Sequence, residues 1–261
     1  APPRRAGCCS QFKHLSRREC TNVIRDKRTM GARIGTTIFL NVLIGVVFQG
    51  AGDWSDVADG NPTELVTKSR EHFGAIVQIF IGAMMGMTQP ALLMFPLERP
   101  VFLREYALGT YGAFPYLVSK VLVEIPLGIF QATLIFLVSY WLVGFKANFF
   151  YAVLTAAMLG IVGSSLALAV GAVSTSVQAA MQAMPLLFIP QLLFAGLFVP
   201  LASIPEWIRW PQYLCFLKYA LNIVLLAEFN DQTTFPTGWN SSLPDRLYHN
   251  TIWGCAGDDL E

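Results

Sequence analysis

The chain has 261 residues and a formal net charge of +1, with 54% hydrophobic and only 13% charged residues. That is about half the charge of an ordinary soluble domain, and no Asp, Glu, Lys or Arg occurs between Lys146 and Glu206. A soluble fold would expose charge in each loop of such a stretch, so lipid is the solvent implied.

Charge distribution is more informative than its sum. Through Arg33, nine Lys and Arg face two acids, Glu19 and Asp26. The segment Gly50–Phe73 carries Asp53, Asp56, Asp59, Glu64 and Glu71 against Lys68 and Arg70, and the tail after Ala202 is also acidic. Orientation follows the Lys/Arg bias, which places the N-terminus in the cytoplasm. No signal peptide is visible. The chain opens Ala1-Pro2-Pro3 without Met, so a piece of a longer polypeptide is expected.

Residues 1–14 read as a cytosolic linker, where the adjacent Cys8 and Cys9 offer a palmitoylation pattern. Residues 15–32 predict an amphipathic helix in the membrane interface, with Leu15, Cys20, Val23 and Ile24 beside Arg17, Arg18, Arg25 and Lys27. A membrane domain follows over 33–201. Its five apolar runs are 33–48, 74–95, 115–144, 149–173 and 181–200, each near the ~20 residues that cross a hydrocarbon core. Pro90, Pro185 and Pro190 fall inside these runs, which a bundle tolerates because neighbouring helices re-satisfy the freed carbonyls. Residues 202–261 predict an external segment. Within it, Leu214–Ala227 is apolar but carries Lys218 and Asn222, as a re-entrant or surface helix would. Trp207, Trp210 and Tyr213 suit an aromatic belt. The sequon at Asn240 requires lumenal or extracellular exposure to be glycosylated. A sixth span is expected beyond Glu261.

The most telling stretch interrupts the apolar pattern. Residues 98–109 open with Glu98-Arg99-Pro100-Val101-Phe102-Leu103-Arg104-Glu105-Tyr106, too polar for lipid and far more charged than a chain reversal needs. Counting spans from a cytosolic N-terminus places this element inside, as a docking surface. Gly109-Thr110-Tyr111, Pro115-Tyr116, Lys120, Glu124 and Pro126 follow it.

These residues resemble the transmembrane domain of ABCG-type (White-subfamily) ATP-binding-cassette transporters. Two further blocks carry the likeness: Arg18-Glu19 through Arg25-Asp26 to Arg33, and Gly196-Leu197-Phe198-Val199 with Ile204-Pro205, Trp207, Trp210, Tyr213, Tyr219 and Glu228-Phe229. The resemblance implies an all-α polytopic bundle of an exporter. Its coupling helix would use Glu98, Arg99, Phe102, Arg104, Glu105 and Tyr106, and its connecting helix Arg18, Arg25, Asp26 and Arg33. The implied partners are a nucleotide-binding domain on the same polypeptide, a second membrane domain in a homo- or heterodimer or a tandem half, the lipid bilayer and an amphipathic cargo. No nucleic acid partner is expected. ATP and Mg would bind the nucleotide-binding domain and not this chain, which has no G-x-x-x-x-G-K-[ST] loop. A catalytic site in this chain is not expected; translocase activity would belong to the full transporter. On the family pattern the substrate cavity falls at Ala83, Gly86, Ile189 and Leu192, beneath an apolar plug of Leu197 and Phe198. Gly82-x-x-x-Gly86 also reads as a close-packing motif, a competing role for Gly86.

Glu124 is the lone acid within an apolar run. Such a residue is functional by default, as a proton relay or as a structural ion pair with Lys120 one helical turn earlier. The three histidines, His14, His72 and His249, have no metal-ligand spacing. Cys20 is expected as a reduced cytosolic thiol; Cys255 is external and can pair within its loop or across a dimer. Gly50-Ala51-Gly52-Asp53 matches the G-x-G-D of intramembrane proteases, but no second aspartate occurs in the later spans. A membrane-embedded acyltransferase, a secondary transporter and an adaptor remain the alternative classes. The first lacks a His at catalytic depth, and the second lacks internal repeats.

Overall fold

A computed structural model describes residues 8–52, 62–195, 205 and 210–229. Within them the chain is helical, with no strand: α1 (Cys8–Arg25), α2 (Lys27–Val47), α3 (Pro62–Ala107), α4 (Ala113–Val143), α5 (Phe149–Val173), α6 (Val177–Phe194), a 3-10 turn (Trp210–Leu214) and α7 (Phe216–Phe229). Five of these, α2 to α6, are long and apolar enough to cross a membrane. The all-α polytopic fold expected above is the fold observed.

Boundaries follow capping chemistry. The Asp26 carboxylate accepts from Thr29 N and starts α2, so a one-residue elbow divides the basic segment at 26. The helix expected over 15–32 is therefore two: α1 begins seven residues earlier, at Cys8, and the first span starts at Lys27 instead of Arg33. Asn148 and Ser176 cap α5 and α6 in the same way. Gly144 ends α4 in the left-handed region at φ 81°, where a Cβ would be strained. The expected separation between the second span and the coupling element is absent. Both belong to α3, 46 residues that continue through Pro90, Pro96 and Pro100. Each proline removes one backbone donor, yet the segment stays helical through all three.

The core forms where α3 lies along α5. Small residues on α5 (Ala152, Ala156, Gly160, Gly163, Ala167, Gly171) let Ile76, Phe80, Met84, Met87 and Leu92 approach its backbone. A Cβ on Gly171 would lie 2.8 Å from the Leu92 carbonyl oxygen. α7 buries Leu217, Ala220, Leu221, Val224 and Leu225, spaced as one helical face, in the same core. Of the five helices long enough to span, α2 and α6 are the least covered by the rest of the chain.

Candidate functional site

Three helices meet where α3 ends and α4 begins. Lys120, in the second turn of α4, is 6% exposed. Its ammonium donates to Glu19 of α1 and to Glu98 of α3, the latter at 2.7 Å. Glu19 is 2% exposed, and Tyr116 OH donates to the second Glu98 oxygen at 2.8 Å. One helical position before Glu19, Arg18 donates to both oxygens of Glu105, at 3.0 and 3.3 Å. Tyr111 OH reaches the same carboxylate at 2.6 Å. Burial, with Glu105 as acceptor, pushes the Tyr111 phenol up to about 12, so it stays protonated and donates. Gly112 N, just before α4, donates to Gln11 of α1 at 3.2 Å.

An aromatic layer closes over these pairs. Phe102 sits 4.7 Å from Tyr116 and stacks on Tyr106 at 5.8 Å, and Tyr111 stacks on Tyr116 at 5.8 Å. Leu15 of α1 packs into it. Arg99 donates to the Ser174 carbonyl at 3.0 Å, tying α3 to the turn after α5. Glu19 and Lys120 are removed from water, so losing one strands the other as an unpaired buried charge, whereas Arg18 and Glu105 remain part-exposed. The junction is thus a stiff coupling of α1 to α3 and α4. Arg104 and Arg25 are exposed and stand outside it. A cleft of about 330 Å³ opens beside it, lined by Gln11, His14, Leu15, Arg18, Glu105 and Tyr111.

The structure corrects the Lys120–Glu124 pair. Lys120 turns to Glu19 and Glu98, whereas Glu124 receives Arg33 Nη2 at 3.2 Å. Local spacing at i,i+4 stabilises by only a few tenths of a kcal/mol, and carboxylates on other helices outcompete it. Arg33 also donates to Gln131 at 2.6 Å, and Gln131 to the Thr37 hydroxyl at 3.2 Å. Asn41 and Ser139 are bonded to each other at 3.2 Å further along. A polar column therefore joins α2 to α4 through the apolar layer.

A third cluster lies at the opposite end of α3. Glu228, 3% exposed, accepts from Lys146 N at 2.8 Å and Ala147 N at 2.7 Å, and lies 2.9 Å from His72 Nε2. Burial alone would raise this carboxyl, but these donors hold it below the usual carboxylate range. Gly52 N donates to Val143 O at 2.9 Å beside it.

The four cavity positions do not share a surface. Ala83 is fully buried in the core of this chain, which removes it from any cavity between protomers. A Cβ on Gly86 would meet only the mobile end of Gln131, Nε2 at 2.8 Å, and one on Gly82 would meet nothing within 4 Å, so the Gly82-x-x-x-Gly86 pattern is not a close helix contact within this chain. Ile189 is 53% exposed, and Leu192 is partly packed on the core. Leu197, Phe198, Trp207, Asn240, Cys255 and Asp53 lie outside the described residues. Cys20 and Cys215 are free thiols. Among the described residues no His, Cys, Asp and Glu group could hold a metal.

Gln131, Thr37, Asn41, His72 and the hydrogen bonding of Glu228 did not stand out in the sequence. Polar residues four apart on one helix, as Thr37 and Asn41 are, were the available signal for the column. For Glu228, it was a single acid closing an apolar helix.

A family model described as ABC-2 type transporter matches residues 10–229, which span all three clusters. The chain is 26% identical over 233 residues to the broad substrate specificity ATP-binding cassette transporter ABCG2 of Bos taurus, covering 87% of this chain and 34% of that protein. It is 26% identical over 238 residues to the ABC transporter ATP-binding protein/permease wht-1 of Caenorhabditis elegans, covering 90% and 34%. It is 24% identical over 225 residues to protein white of Drosophila melanogaster, covering 85% and 31%. The chain spans about a third of the length of the curated relatives it matches.

Proposed function

Because this chain belongs to the ABC-2 type transporter family, we propose that it is the membrane path of an ATP-driven exporter for lipids, sterols or other amphipathic molecules. A nucleotide-binding domain supplies hydrolysis, with ATP and Mg bound there, and two membrane domains enclose the route. The names of the relatives, an ATP-binding cassette transporter and an ATP-binding protein/permease, support this division of labour. In the proposed orientation the N-terminus and the Glu98–Tyr106 segment are cytosolic, and residues after 202 are outside.

The observation that carries the reading is the triple junction. Closure of a motor domain upstream of α1 pulls on α1. The Glu19–Lys120–Glu98 and Arg18–Glu105 links pass that displacement to α3 and α4, since separating the buried Glu19–Lys120 pair strands charge and the part-exposed Arg18–Glu105 fork holds α1 to the end of α3 beside it. The test is made in the full-length transporter, with ATPase activity and vesicle transport measured together. Glu105→Arg is expected to leave hydrolysis and surface level intact while transport falls. The exchange Arg18→Glu with Glu105→Arg is expected to restore transport. Transport unaffected by the single change would overturn the assignment.

A further inference from the structure

α1 has a second face that the junction does not use. Leu15 and Glu19 are buried against the bundle. At 3.6 residues per turn, the side opposite them carries Lys13, Arg17, Cys20 and Ile24. All four are exposed, Ile24 at 69%. The stripe continues past the Asp26 elbow into Lys27 and Arg28, both exposed in the first turn of α2. Its cations outnumber the acids near them. Glu19 is buried with Lys120 and Glu105 is held by Arg18, which leaves Asp26, bonded to Thr29 N at 3.2 Å and lying beside Arg28, against Lys13, Arg17, Lys27 and Arg28.

A cationic surface in bulk cytosol gains nothing from a bared isoleucine. At the headgroup level the two fit together, cations against phosphate and carboxylate, Ile24 against the acyl boundary. Lys27 and Arg28 open a helix that is apolar enough to cross the membrane, which sets the stripe at that depth. We propose that this face of α1 binds anionic lipid headgroups of the cytosolic leaflet, phosphatidylserine in kind. The inference rests on the cytosolic placement of the N-terminus. It gives α1 two anchors, lipid on one side and the Glu19–Lys120 junction on the other, so anionic lipid content sets how firmly the lever is seated.

The test uses the full-length transporter carrying an environment-sensitive nitrobenzoxadiazole dye on Cys20 as its sole reactive thiol. It is reconstituted in nanodiscs of phosphatidylcholine alone or with added phosphatidylserine. Phosphatidylserine is expected to shift the emission to the blue, and high salt to reverse the shift. In the variant Lys13→Gln/Arg17→Gln/Lys27→Gln/Arg28→Gln, apparent affinity for phosphatidylserine is expected to fall by about fivefold per neutralised charge; an unchanged melting temperature serves as the fold control. Ile24→Ser is expected to shrink the blue shift and leave its salt dependence. Emission that is water-like in both lipids would overturn the proposal. So would emission that is blue in both and indifferent to salt, which marks a face covered by protein. Labelling of Cys20 by an impermeant maleimide on intact cells would instead overturn the orientation beneath it; labelling only after permeabilisation, with no lipid response, would sink this inference alone.

Discussion

Lys120 illustrates how one side chain can govern three helices. With Glu19 at 2% and Lys120 at 6% exposure, removing the cation strands a carboxylate out of water. Lys120→Met is expected to lower stability by about 3–5 kcal/mol, read from thermal or denaturant unfolding in detergent. Adding Glu19→Leu should recover much of the loss, because an apolar pair replaces a buried ion pair at little cost. A double variant no better than the single would show that the pair does not act as one. Glu228 makes a pH-dependent counterpart. Its carboxyl is held below its ordinary range by His72 and two backbone donors. Its stabilisation is therefore complete above the carboxyl's unfolded value and is lost as pH falls through the folded one. Melting temperatures measured from neutral to acid pH should show that loss, and Glu228→Gln should flatten the acid limb. The chemistry of these residues was legible in the sequence, since Glu98, Lys120 and Glu124 stand out in an apolar chain. Their pairing was not, because it depends on how α4 is rotated toward α1 and α2, which no local spacing records.

At the scale of elements, apolar runs located the spans, and polar caps set their ends. What the runs concealed was continuity. Three prolines and a charged segment argue for a break in α3, yet packing along α5 sustains 46 helical residues. The small-residue stripe on α5 was also legible, at intervals of three and four, but acquires meaning only with the partner whose backbone it admits. Gly171 is the point where the stripe meets backbone, facing the Leu92 carbonyl oxygen at 2.8 Å and Pro96 Cδ at 3.4 Å. Backbone on the far side cannot yield as a flexible side chain would. Gly171→Val is expected to cost about 1–3 kcal/mol, whereas Leu154→Val on the exposed face of the same helix should stay within about 0.5 kcal/mol. Equal effects in unfolding measurements would contradict α3–α5 packing as the centre of the fold.

The whole molecule is organised around the two ends of α3. Its 46 residues at 1.5 Å each give a contour of about 69 Å, against a hydrocarbon core of about 30 Å. It must therefore project into water. His72 near its start is clasped by Glu228, which also holds Lys146 N and Ala147 N in the turn after α4. Glu105 near its end is held by Arg18 of α1. The residues between His72 and Glu105 exceed the bilayer at any ordinary tilt, so the clasp and the junction occupy opposite faces of the membrane. Lys146 and Arg104, both exposed, report one face each. With other cysteines replaced, Lys146→Cys in intact cells is expected to react with an impermeant maleimide. Arg104→Cys is expected to react only once the membrane is permeabilised, in keeping with the excess of Lys and Arg before the first span. The reversed pattern would invert the proposed orientation but keep the fold. Reaction of both positions from the same side would break the reading of α3 as a spanning helix, and with it the transmission of force between its ends.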